Sequence, residues 1–113
     1  MSKISFDDIG NVMATFYASE GVEAGQVVKV TANGTVGPCA QGEAFCGVAG
    51  QVRCGAVAVQ VGGFMQIGIT GEIGLGRVKL AADGKGGVQA DDNGVEALVV
   101  QVEQALGKAV ICL

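Results

Sequence analysis

Glycine punctuates this chain too often for long helices to form. It occurs 20 times in 113 residues, against a single proline. Each interior helical glycine costs about 1 kcal/mol relative to alanine. The glycines follow no three-residue period, which excludes a collagen-like chain. Short strands joined by tight turns are what remains. The hydrophobic half of the sequence supports the same reading, because it contains no Trp and only five aromatics: Phe6, Phe16, Tyr17, Phe45 and Phe64. The core must be aliphatic, and its commonest member is valine, whose β-branched side chain suits a pleated surface.

Local patterns place the strands. Val57, Val59 and Val61 alternate with Ala56, Ala58 and Gln60, the period of a strand with one apolar face. Phe64–Thr70 reads as another strand, with turns at Gly71, Gly74 and Gly76. Asn33-Gly34 between valine runs predicts a β-hairpin with a type I′ turn, which needs positive φ at both central residues. Asp83-Gly84 and Asn93-Gly94 are candidates of the same kind.

The chain also repeats itself. Lys29-Val-Thr-Ala-Asn-Gly34 returns as Lys79-Leu-Ala-Ala-Asp-Gly84, an offset of 50, and Gln51-Val52 returns as Gln101-Val102. Gly55-Ala-Val-Ala-Val-Gln-Val61 matches Gly107-Lys-Ala-Val-Ile-Cys-Leu113 at an offset of 52, so two residues are gained in between. The expectation is one all-β domain over residues 25–113, with repeats at about 25–61 and 76–113. Its form would be a compact pseudo-symmetric β-barrel or β-roll of short strands, in which neither half buries its valine face alone. Residues 1–24 differ from the rest and read as an N-terminal arm or a first strand.

Chemistry is sparse. With no His, the Ser-His and Cys-His nucleophile systems are excluded. Asp91-Asp92 and Asp7-Asp8 read as turn or helix-start residues rather than an acid–base pair. Gly71, Gly74 and Gly76 lack the Lys-Ser/Thr of a phosphate loop. Cys39, Cys46, Cys54 and Cys112 have no zinc-knuckle spacing, and the N-terminus has no apolar signal region. They are expected to be reduced structural thiols, with no metal and no cofactor. The net charge of −4 and the scattered basic residues argue against nucleic acid. Only Arg77 and Lys79 share a strand face. No apolar run is long enough to span a membrane as a helix.

The order of motifs is informative as a set. It runs Gly25-Gln-Val-Val-Lys-Val, Asn33-Gly34, Cys46-Gly-Val-Ala, Val57-Ala-Val-Gln-Val-Gly-Gly-Phe64, Gly76-Arg-Val-Lys-Leu-Ala-Ala-Asp-Gly84 and Gly107-Lys-Ala-Val-Ile-Cys-Leu113. This resembles the small capsid decoration, or cement, proteins of tailed bacteriophages and prophages, across residues 25–113. The resemblance implies a non-enzymatic virion structural protein on the outer capsid surface, made in the cytoplasm of a bacterial host. It implies the major capsid protein as partner and a homo-oligomer, with a trimer favoured. The candidate contact residues are the apolar N-terminal ones: Ile4, Phe6, Ile9, Val12, Phe16 and Tyr17. They either grip the shell, for example by strand addition, or complete this chain's own core. Two other readings are a biotinyl- or lipoyl-like carrier domain, with Lys85 beside its turn, and a small-molecule-binding barrel.

Overall fold

A computed structural model describes residues 11–113. Ten strands account for most of this span: β1 (Val12–Ala18), β2 (Val27–Ala32), β3 (Thr35–Pro38), β4 (Gly47–Arg53), β5 (Ala56–Gly62), β6 (Phe64–Gly68), β7 (Gly76–Ala82), β8 (Val88–Ala90), β9 (Val95–Glu103) and β10 (Lys108–Cys112). A 3-10 turn, Gln104–Leu106, precedes β10. The fold is all-β.

The strands form two five-membered units. The first runs β1-β3-β2-β4-β5 and closes into a barrel where β5 pairs with β1. The second is a sheet in the order β6-β10-β9-β7-β8. A single parallel bridge, Ile69 to Val88, brings its two ends together. Read as a ring from its first strand and run in the opposite direction, the first order becomes the second when each of β1–β5 is replaced by the strand five places later. The one parallel contact of the first barrel, β1 with β3, becomes that bridge.

Individual hydrogen bonds repeat as well. The Ala18 N–H donates to Gly55 O at 2.8 Å, and the Ile69 N–H to Gly107 O at 2.9 Å. The Ser19 N–H donates to Val36 O and the Thr70 N–H to Val88 O, both at 2.9 Å. Between Ala49 and Val52, β4 carries an extra residue against β5. Its counterpart β9 carries one between Val99 and Gln101 against β10. The duplicated unit is therefore larger than the sequence match, since it takes in β1 and β6.

The two-residue gain has a definite place. The β4–β5 link is the two-residue turn Cys54-Gly55, whereas β9 and β10 are joined by the four residues Gln104–Gly107. The longer link needs the 3-10 turn to reverse, and Gly107 ends it at φ 64°.

Turn chemistry departs from expectation. Asn33-Gly34 does reverse the chain between Ala32 and Thr35, but only Gly34 has positive φ. A register shift between Val30 and Ala32 supplies the extra twist instead. The type I′ signature, positive φ at both positions, belongs to Cys54 (51°) and Gly55 (75°). Asp83-Gly84 is not a two-residue turn, because Ala82 pairs with Val88 and leaves a five-residue loop. Asn93-Gly94 makes no hairpin at all. It carries the chain from β8 across to the far side of β7, and Gly94 lies so close to Leu80 that a Cβ there would sit 2.3 Å from the Leu80 carbonyl oxygen.

Valines fill the first barrel: Val28, Val36, Val57 and Val59 with Ala49, supported by Phe16, Val22, Cys46, Val52 and Val61. The second unit has larger contents, including Met65, Ile67, Ile73, Leu80, Val88, Val99 and Ile111. Val27 and Phe45 of the first half insert into this second core. The segment that delivers Phe45 is held by Gly42 N–H to Ala82 O (2.8 Å) and Ala82 N–H to Glu43 O (3.0 Å). Burying side chains of this size is worth roughly 1.5–3 kcal/mol each. The two halves therefore share one hydrophobic interior at this junction.

A non-glycine residue in left-handed backbone carries a cost of roughly 1–2 kcal/mol. Cys54 bears it on an exposed turn. Cys54→Asn is expected to raise unfolding stability by about 1 kcal/mol, because Asn tolerates this conformation better. Urea denaturation of both proteins checks it, with an unchanged m-value expected.

Candidate partner-binding surface

β1 presents its residues unequally. Tyr17 is 71% exposed, Val12 55% and Met13 49%, while Phe16 is half-buried against the valines of the first barrel. Alternation along the strand explains the split, since Phe16 follows the inward face and Tyr17 the outward one. Of the six candidate contact residues, Val12 and Tyr17 are thus surface groups and Phe16 is a core contributor. Ile4, Phe6 and Ile9 lie outside the described residues. Met13, outside that set of six, lies two residues from Thr15 and four from Tyr17 and so shares their outward face.

The neighbouring strand extends this surface. β5 pairs with β1 from Gly62 opposite Val12 to Ala56 opposite Tyr17, with Ala58 opposite Thr15 and Gln60 opposite Met13. β1 and β5 are each seven residues long and neither contains a charged residue. The result is an uncharged strip bearing Met13, Thr15 and Tyr17 next to small Ala56 and Ala58.

Polar clusters lie elsewhere. Arg77 and Lys79 share a strand face and line an open cleft of about 430 Å³ with Ala90, Asp91 and Asp92. Two cations face two carboxylates there, so the cleft offers no net field for an anion. Asp91 is occupied in shaping its own turn, where its carboxylate accepts the Asn93 N–H at 2.8 Å.

Near the junction of the halves, Lys29 forms an ion pair with Glu43, whose other oxygen accepts the Ala40 N–H at 2.6 Å. Lys29, then the Ala40 N–H, hold the Glu43 carboxyl below its usual range. Burial, then the nearby Glu43 charge, push the Cys39 thiol up to about 11. Burial raises Cys46 as well. All four cysteines are free thiols, and only Cys54 is exposed. No group of three or more metal-ligating side chains occurs among the described residues.

Asp83 is buried, and its carboxylate organises the five-residue loop. It accepts the Thr70 hydroxyl at 2.6 Å, the Lys85 N–H at 2.6 Å and the Gly87 N–H at 3.0 Å. Burial favours the neutral acid. The three hydrogen bonds and the Lys85 charge outweigh it, and the pKa is lowered. Lys85 itself is exposed at the loop tip.

No protein-family model matches the chain, and no curated protein matches it.

Two measurements follow from these environments. Alkylation at neutral pH is expected to modify Cys54 first and Cys39 much more slowly, because the thiolate is the nucleophile and that of Cys39 is suppressed. Mass spectrometry of a timed iodoacetamide reaction reads the order. Asp83→Ala should destabilise by about 2 kcal/mol through loss of the three hydrogen bonds. A carboxylate whose pKa is lowered on folding stabilises fully above its unfolded value of about 3.9 and loses that contribution as pH falls through the folded value. Acid unfolding below about pH 4 should therefore be shallower in Asp83→Ala than in the parent protein.

Proposed function

We propose that the chain is a non-enzymatic structural protein that binds the outside of a phage head and stabilises the capsid shell. The observation that carries this reading is the surface of β1: Met13 and Tyr17 point outward from a closed barrel on an uncharged strip, and Val12 is exposed at its start. The sequence that leads into this strand also contains the apolar residues Ile4, Phe6 and Ile9. Two joined β units supply a rigid body behind it. The resemblance of residues 25–113 to phage decoration proteins supplies the class of partner, the major capsid protein. A protein of this kind acts through its surface, and its residues are expected to hold shell subunits together rather than turn over a substrate.

Co-sedimentation with heads of the encoding phage or prophage, stripped of this protein, is the test. The parent chain should bind and raise the temperature at which the heads release DNA. Tyr17→Asp should weaken binding by about tenfold, as expected for loss of an aromatic contact at the centre of an interface, with no change in thermal unfolding. Removal of residues 1–10 should weaken it further. Normal binding by both variants would sink the assignment of this surface. No binding by the parent chain would sink the capsid reading. A mass increment on Lys85 in protein from its native host would favour the carrier reading instead.

A further inference from the structure

Among the described residues, closure of the first barrel leaves one stretch of backbone without a partner. The Ala18 N–H bonds to Gly55 of the β4–β5 turn, so alternate residues Phe16 and Ala14 also turn their peptide groups toward β5. Met13, Thr15 and Tyr17 turn theirs the other way. On that side the Tyr17 N–H is taken by Gly34 O at 2.8 Å, where β3 begins. β3 pairs with β1 only at Tyr17 and Ala18. Among the described residues no backbone partner takes the N–H and C=O groups of Met13 and Thr15. Both residues are exposed.

The corresponding strand β6 is treated differently. There the Gln60 side-chain amide reaches across and donates to Phe64 O at 2.9 Å. β1 has no such cap. It also lacks the devices that commonly block an open edge, with no charge and no proline in Val12–Ala18. Its one register irregularity lies at Val12, before the open stretch.

We propose that this edge pairs with the same edge of a second copy, as an antiparallel β1–β1 ladder about a two-fold axis through Ala14. In that register Met13 of each copy faces Thr15 of the other. The N–H and C=O groups of both residues are then all used, in four hydrogen bonds. Ala14 meets its own counterpart on the axis, where antiparallel strands approach most closely, and a methyl group fits there. The ladder cannot run further, because β3 occupies the edge from Tyr17 onward. The charge pattern favours a second copy over a charged partner strand. Nothing on β1 or β5 repels itself, and nothing on either attracts an opposite charge. The two-fold contact predicts dimers, in place of the trimer implied by the family resemblance. It stands independently of the capsid reading, because it is measured on the isolated protein.

Analytical ultracentrifugation and backbone amide exchange of the full chain test it together. The parent protein should sediment at twice the 11.2 kDa chain mass at high micromolar concentration. The Met13 and Thr15 amides should then be protected, and dilution should remove the protection. Thr15→Pro deletes an N–H that points away from β5, so the barrel's own ladder is kept. It should give a monomer with the circular dichroism of the parent. Met13→Lys, which places a charge beside the axis without touching the backbone, should raise the dissociation constant at least tenfold and covers the case of a proline variant that fails to fold. A monomer at all concentrations, a trimer, or a dimer unaffected by Met13→Lys and lacking protection at Thr15 would overturn the proposal.

Discussion

Every β-strand has two edges, and each edge carries peptide groups that need partners. That requirement governs this molecule more than any side chain does. Five short strands satisfy it by closing on themselves, with β5 returning to β1 and a parallel contact from β1 to β3 completing the ring. The second unit comes to the same solution through a single bridge between Ile69 and Val88. Closure also explains the abundance of small residues. A five-stranded ring is narrow, and its strands approach so tightly that a Cβ at Gly47 would lie 2.2 Å from the Gln60 carbonyl oxygen.

A narrow ring has a small interior, and here the first one is markedly poorer than the second. Its buried set is four valines and an alanine, whereas the second encloses Met65, three isoleucines (Ile67, Ile73 and Ile111), Leu80 and Val99 among others. Phe45 and Val27 of the first half deepen this imbalance, and tie the halves together, by packing in the second core. The main-chain exchange between Ala82 and residues Gly42 and Glu43 fixes the segment that carries Phe45. Cooperative stability of the first barrel thus depends on the second. The joint is also where Lys29, Glu43 and the suppressed thiol of Cys39 gather.

Much of this was legible in residue order. The valine alternation of β5, the hairpin at Asn33-Gly34 and the duplicated halves follow from period and offset alone. What the sequence hid is the conformation of the turns. Asn33 takes negative φ because the bulge in β2 already twists the hairpin, while Cys54, with no intrinsic preference for the left-handed region, is forced into it by the two-residue link that β4 and β5 require. Asp83 occupies the position equivalent to Asn33 in the repeat, yet it is buried and holds a five-residue loop through three hydrogen bonds. The donor that completes its set, Thr70, is 13 residues away, so no local rule could have found it. On the surface, the outward set of β1 follows from alternation once its register is known. The register depends on β5, and the open side of Met13 and Thr15 depends on the short length of β3.

The two halves share one topology, and their differences fall in places that matter. The second half has the longer β9–β10 link and the larger core, and the outward Phe64 carbonyl of its β6 is taken by Gln60. The first half has the smaller core and, among the described residues, a strand with an unpartnered edge and an exposed outer face. A duplicated domain can specialise in this way because a fully packed copy tolerates a neighbour that is less self-sufficient. The half that cannot satisfy itself is then the one left to satisfy its backbone and apolar groups on another molecule. By that argument β1, at the start of the less complete barrel, is the strand through which we propose that this protein associates.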